Sequence, residues 1–144
     1  MGSPLGPTLA NVFLCFHEKT WLDNCPLEFK PLLYRRYVDD TFVLFKNEDH
    51  AAQFLEYLND RHQNIRFTME LENENKLAFL DLLIEKGNNK FESSVFRKKT
   101  FSGLGISFFS YCSHKFKINA IKTLLHRAFH LCSTYQYLDN EFQF

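Results

Sequence analysis

The four cysteines, Cys15, Cys25, Cys112 and Cys132, include no Cys-x-x-Cys pair, so the spacing that marks a zinc site is missing. With no sign of export, reduced thiols are expected rather than disulfides. His126 and His130 lie four apart in "HRAFH", but the glutamate of a His-Glu-x-x-His metal motif is absent, and the bland reading of such a pair is a helix surface. No apolar run approaches the roughly 20 residues of a membrane span. The N-terminus lacks the basic region and apolar stretch of a signal peptide. There is no internal repeat, low-complexity stretch or linker. These absences leave a soluble intracellular protein, nuclear or cytoplasmic, as the expectation.

The formal charge is also zero, with 17 basic and 17 acidic residues over 144, yet it is unevenly spread. Residues 1–86 carry 9 Lys/Arg and 14 Asp/Glu, whereas residues 87–133 carry 8 Lys/Arg and the single acid Glu92. A solvated basic face needs no partner, but such polarity also suits contact with a polyanion. What the chain has in abundance is apolar and aromatic side chains, 45% and 17%, including 17 phenylalanines. That suffices for one core and predicts one compact unit. Core packing explains most of the rings; stacking on nucleobases is a second use.

The pattern of elements predicts an α+β fold. Ser3-Pro4 or Gly6-Pro7 can start a helix whose apolar face is Leu9, Val12, Phe13 and Phe16, running to about Trp21. Residues 32–37 and 41–46 read as strands around a tight turn. Asp49 can cap a helix facing inward with Ala51, Phe54, Leu55 and Leu58. Ile65, Phe67, Met69 and Leu71 alternate with polar residues, as in a half-buried strand. "NENK" reads as a turn, "LAFLDLLIE" as one central strand, and "GNN" as a hairpin into "KFESSVFRK". A glycine-containing loop leads to a helix with the stripe Ile118, Ile121, Leu125, Ala128, Phe129 and Cys132. An acidic, aromatic tail closes the chain.

The segment with the clearest chemical content is "LLYRRYVDDTFVLF", Leu32 to Phe45. Aspartate favours turns, which alone accounts for Asp39 and Asp40. The apolar arms add something: a rigid turn presenting two carboxylates suits hard divalent cations, and two such ions can run phosphoryl transfer.

"YVDD" between apolar strands resembles the catalytic hairpin of reverse transcriptases. "GSPLGPTLAN" is similar to the loop and helix before that hairpin, and "KLAFLDLLIEK", "SVFRKKTFSGL" and "LLHRAFHLCS" resemble the Penelope-like branch. The resemblance implies a polymerase palm-like antiparallel sheet with helices on one face over residues 1–100 and a connection with a partial helical thumb over 101–144. It implies Asp39 and Asp40 as ligands of Mg²⁺ or Mn²⁺, with Tyr37 and Val38 under a primer end. Gly2, Ser3, Pro4 and Asn11 would line the template and dNTP pocket, although the prolines can equally start the helix and Asn11 can be an exposed helical residue. Arg97, Lys98, Lys99, Lys115, Lys117, Lys122 and Arg127 would hold the phosphates of an RNA template and DNA primer. Asp81 is expected to hydrogen-bond rather than bind metal. The further catalytic aspartate strand, the fingers and the GIY-YIG endonuclease domain of such elements are not in this sequence. A fragment inactive as a polymerase is therefore expected. The alternative is a non-catalytic nucleic-acid-binding remnant of a decayed retroelement.

Overall fold

Proline at the start and an asparagine at the end delimit the first helix. In a computed structural model, which describes residues 4–87, 89–103 and 105–143, α1 spans Gly6–Asp23 with a proline in its first turn. Its last carbonyls are met by Asn24, whose backbone and side-chain N–H groups both donate to the Thr20 carbonyl. The expected Ser3 cap lies outside the described residues. β1 (Leu33–Tyr37) and β2 (Asp40–Leu44) pair antiparallel with Tyr37 opposite Asp40. α2 (Glu48–Asn59) is capped by Asn47, whose side chain accepts from the His50 N–H at 3.0 Å, two residues before the expected Asp49.

Trp21 and Cys25 pack with Phe54 and Leu58 to form the core of these elements, with Tyr34, Val43, Phe45, Ile65 and Phe67 around it. The inward residues read for α2 are thus borne out at Ala51, Phe54 and Leu58. The face read for α1 is not. Leu9, Val12, Phe13 and Phe16 are exposed, and the helix packs through the opposite side, where Glu18 and Trp21 are buried. An apolar stripe cannot by itself say which of two apolar sides meets the core.

Residues 65–71 form no strand. Ile65 and Phe67 do point inward, but Phe67 bonds the Asn59 side chain, donating to Oδ1 at 2.7 Å and accepting from Nδ2 at 3.1 Å. Periodicity reports the face of the chain; a ladder needs a neighbouring strand as well.

"LAFLDLLIE" is a hairpin rather than one strand. β3 (Lys76–Phe79) turns at Leu80-Asp81 into β4 (Leu82–Lys86), which pairs with β5 (Phe91–Val95). "NENK" is a turn as expected, with Glu74 and Asn75 both at positive φ. α3 (His114–Leu131) is capped by Ser113, and the expected tail is a helix, α4 (Tyr135–Gln143). The α+β class holds, with two small antiparallel sheets and four helices among the described residues. The expected single unit is two, Met1–Glu70 and Leu71–Phe144, because each half closes its own antiparallel ladder and helices.

Both tight hairpins place an apolar residue where glycine is favoured. Val38 (φ 56°) and Leu80 (φ 55°) are the first of two turn residues, and each following aspartate stays at negative φ, the pattern of a type II′ turn. A β-branched residue there stores strain of about 1–3 kcal/mol. Val38 is 62% exposed and gains little from burial. Val38→Gly is expected to stabilise the protein by about 1 kcal/mol after the entropy of the unfolded glycine is subtracted. Denaturant unfolding followed by fluorescence of the single tryptophan checks this.

Candidate nucleic-acid interface

Ser93 in β5 and Ser133 between the last two helices fix the geometry of the second unit. The Ser133 N–H donates to the Ser93 carbonyl at 2.9 Å, and the Ser93 N–H donates to Ser133 Oγ at 2.8 Å. Ser93 Oγ donates to the Leu131 carbonyl at 2.8 Å. The turn Cys132-Ser133-Thr134 is thereby stitched to the sheet at the point where the chain changes direction. α4 is then held along its length. Tyr137 Oη donates to Glu85 Oε2 at 2.8 Å, and Glu141 forms a two-pronged ion pair with Arg97. The bond to Glu85, with burial, raises the Tyr137 hydroxyl pKa; burial raises that of Cys132.

Small side chains let α3 come close. Ala128 is 2% exposed, while Lys117, Ala120, Arg127 and Leu131 are half-buried on the same side. The apolar stripe read from the sequence is mostly bare: Ile118, Ile121, Leu125 and Phe129 are each 44% exposed or more. Beside it runs a polar stripe, Lys115, Asn119, Lys122, His126 and His130, at i, i+4, i+7, i+11 and i+15, all exposed. The two histidines stack with ring centroids 3.8 Å apart, and His130 Nδ1 donates to the His126 carbonyl at 2.9 Å. On α4, Gln136, Asp139, Asn140 and Gln143 form an exposed face at i, i+3, i+4 and i+7, with Gln143 Nε2 donating to Asp139 Oδ2 at 2.9 Å.

The predicted phosphate contacts separate into two groups. Lys98, Lys99, Lys115 and Lys122 are exposed. Arg97 is committed to Glu141, with side-chain exposures of 22% and 11%. Arg127 lies 3.4 Å from Asp81, so Asp81 does make a polar contact within the unit. Lys117 Nζ donates to the Phe108 carbonyl and lies 5.3 Å from that ring's centroid.

In the first unit, Asp39 and Asp40 are exposed at the hairpin tip beside exposed Tyr37 and Val38. Among the described residues no three or more His, Cys, Asp or Glu side chains come together in a group that could hold a metal ion. Asn11 Oδ1 accepts from Arg36 at 3.0 Å, and Pro4 is exposed in the turn before α1. Gly2 and Ser3 lie outside the described residues. Arg36 is the residue sequence reasoning missed. It also donates to Glu18 at 2.8 Å and to the Val38 carbonyl at 2.9 Å, so it ties α1 to the hairpin tip.

Two helices joined by three residues, the second seated firmly on a sheet, are the elements of a helix-turn-helix. Residues 105–144 match the model of an animal helix-turn-helix domain. No curated protein and no solved structure matches. The finding overturns the reading as a reverse transcriptase: the matched family is a DNA-binding type of domain, and the match spans the segment expected as a partial thumb. The expected polymerase palm and thumb roles fall with it. No helix of the described residues is long and apolar enough to cross a membrane.

Proposed function

We propose that this protein binds duplex DNA through its second unit, using α3 and α4 as a helix-turn-helix and carrying out no chemistry on the nucleic acid. The observation that carries this reading is the coincidence of the family match with the α3-turn-α4 segment, reinforced by the exposed cationic stripe on α3. Lys115 and Lys122 would neutralise phosphates, with Asn119 and the histidines as hydrogen-bonding neighbours. The exposed α4 face is rich in amides, the side chains suited to paired contact with adenine in the major groove, and Asp139 is suited to cytosine. Lys98 and Lys99 add positive charge after β5.

Fluorescence anisotropy with a short DNA duplex at a series of salt concentrations tests the proposal. Affinity is expected to fall steeply as salt rises. Changing Lys115 and Lys122 together to alanine should weaken binding and flatten the plot of log K against log salt by about 2 in slope. Absent binding at low salt, or an unchanged slope in the double variant, would defeat this reading.

A further inference from the structure

Immediately before α3 lies a cluster of bare rings. Phe108 is 73% exposed, Phe109 88% and Tyr111 109%. One exposed ring on a protein surface needs no explanation, but three within four residues form an apolar patch beside charge. The loop bearing them is held in place. The Ser110 N–H donates to the Ser107 carbonyl at 3.1 Å, and the Phe109 N–H donates to Ser107 Oγ at 3.3 Å. Ser110 Oγ and Cys112 Sγ are 3.0 Å apart. Lys117 clamps the loop onto α3 through the Phe108 carbonyl and covers the Phe108 ring, a cation–π arrangement. Phe108 in turn meets Phe109 edge to face at 5.7 Å. Phe108 thus supports the cluster, leaving Phe109 and Tyr111 as the two most open rings. Lys115 and Lys117 put positive charge within a few residues of them.

Rigidly mounted aromatic faces next to cations are what unpaired nucleobases need: the ring stacks on the base and the cation meets the adjoining phosphate. A base inside a duplex has both faces covered and cannot use such a platform. We infer that the loop Ser107–Cys112 is a stacking site for unpaired bases, so that the second unit takes single-stranded nucleic acid as well as duplex. The inference rests on the proposed nucleic-acid binding of that unit, and the lysines beside the rings favour this occupant over an uncharged apolar one.

Anisotropy with the full chain and four probes tests it: an oligodeoxyadenylate, an abasic strand of the same length, a duplex, and vesicles of mixed phosphatidylserine and phosphatidylcholine. The oligodeoxyadenylate should bind more tightly than the abasic strand. Phe109→Ala and Tyr111→Ala should each weaken single-strand binding about 5- to 100-fold, leave duplex binding unchanged, and retain the far-UV spectrum. Phe109→Trp should restore binding. Equal affinity for the abasic strand, or unaltered single-strand binding in both variants, would overturn the stacking site while leaving duplex binding intact. Failure of the wild type on duplex and single strand alike would overturn both readings. Vesicle binding lost in these variants without any effect on the oligonucleotide would reassign the rings to a membrane surface.

Discussion

Glu18→Ala is expected to cost about 3–5 kcal/mol, the loss found when one partner of a buried ion pair is removed. Glu18 is 8% exposed, and the Arg36 side chain is equally enclosed, at 8%. The carboxylate accepts from Tyr34 Oη at 2.7 Å and from Arg36 Nε at 2.8 Å. Alanine would leave a buried guanidinium and a half-buried hydroxyl without their acceptor. It would also loosen the Arg36 bonds to Asn11 and to the Val38 carbonyl, which fix the hairpin tip against α1. Total stabilities are about 5–15 kcal/mol, so the variant should unfold at a much lower denaturant concentration. Trp21, buried in the same core, reports the transition. Glu18→Gln keeps an acceptor but loses the charge and should fall between. Burial, then the bond to Glu18, raises the Tyr34 pKa. The folded state therefore holds the proton more tightly than the unfolded state. The stability this contributes is complete below the ordinary tyrosine value of about 10 and is lost as pH rises through the folded pKa. The same fluorescence transition, followed upward from pH 10, should move to lower denaturant. A change under about 1 kcal/mol in Glu18→Ala would show that the pair is not the tie described.

Local signals carried much of the fold but not its choices of face. The α2 stripe was legible because its periodicity agrees with its surroundings, and the hairpin at Val38-Asp39 because aspartates stand between two apolar arms. The Leu80-Asp81 turn was hidden: a leucine at φ 55° carries no turn signal, and the apolar run on either side reads through it. α4 was obscured by an acidic, aromatic composition that resembles a tail. Thr134, whose Oγ1 accepts from the Tyr137 N–H at 3.3 Å, was the available sign of a helix start, with Leu138 and Phe142 behind it at helical spacing. The candidate site was half legible. The basic bias of residues 87–133 pointed to a polyanion, and Lys115 and Lys122 are exposed where such contacts are useful. Arg97 shows the limit of charge counting, because its partner Glu141 is 44 residues away in sequence. The "YVDD" hairpin drew attention to the first unit, whereas the family match lies in the second. A short motif shows which residues are adjacent; it does not show what else converges on them, and among the described residues no third His, Cys, Asp or Glu joins Asp39 and Asp40 in a group that could hold a metal ion.

The Arg97–Glu141 pair gives a test in which sign, not only size, decides. Removing Glu141 takes a negative charge from the unit proposed to bind DNA, so charge alone predicts that Glu141→Ala binds duplex more tightly. The geometry predicts the reverse. Glu141 anchors the far end of α4 to Arg97, just beyond β5, and alanine there removes the carboxylate to which the largely enclosed Arg97 guanidinium donates. The expected cost is about 2–4 kcal/mol, below the full buried-pair value because Arg97 retains some exposure. α4 should then fray from its C-terminal end. Hydrogen exchange across residues 135–143 should quicken, and duplex affinity should drop although net charge has become more positive. Arg97→Ala should produce the same quickening. Changing both residues together should cost less than the sum of the single changes, since each single change already breaks the same pair. Tighter duplex binding by Glu141→Ala, with exchange in α4 unchanged, would mean that the position of α4 does not matter and that DNA is held by the charges of α3 alone.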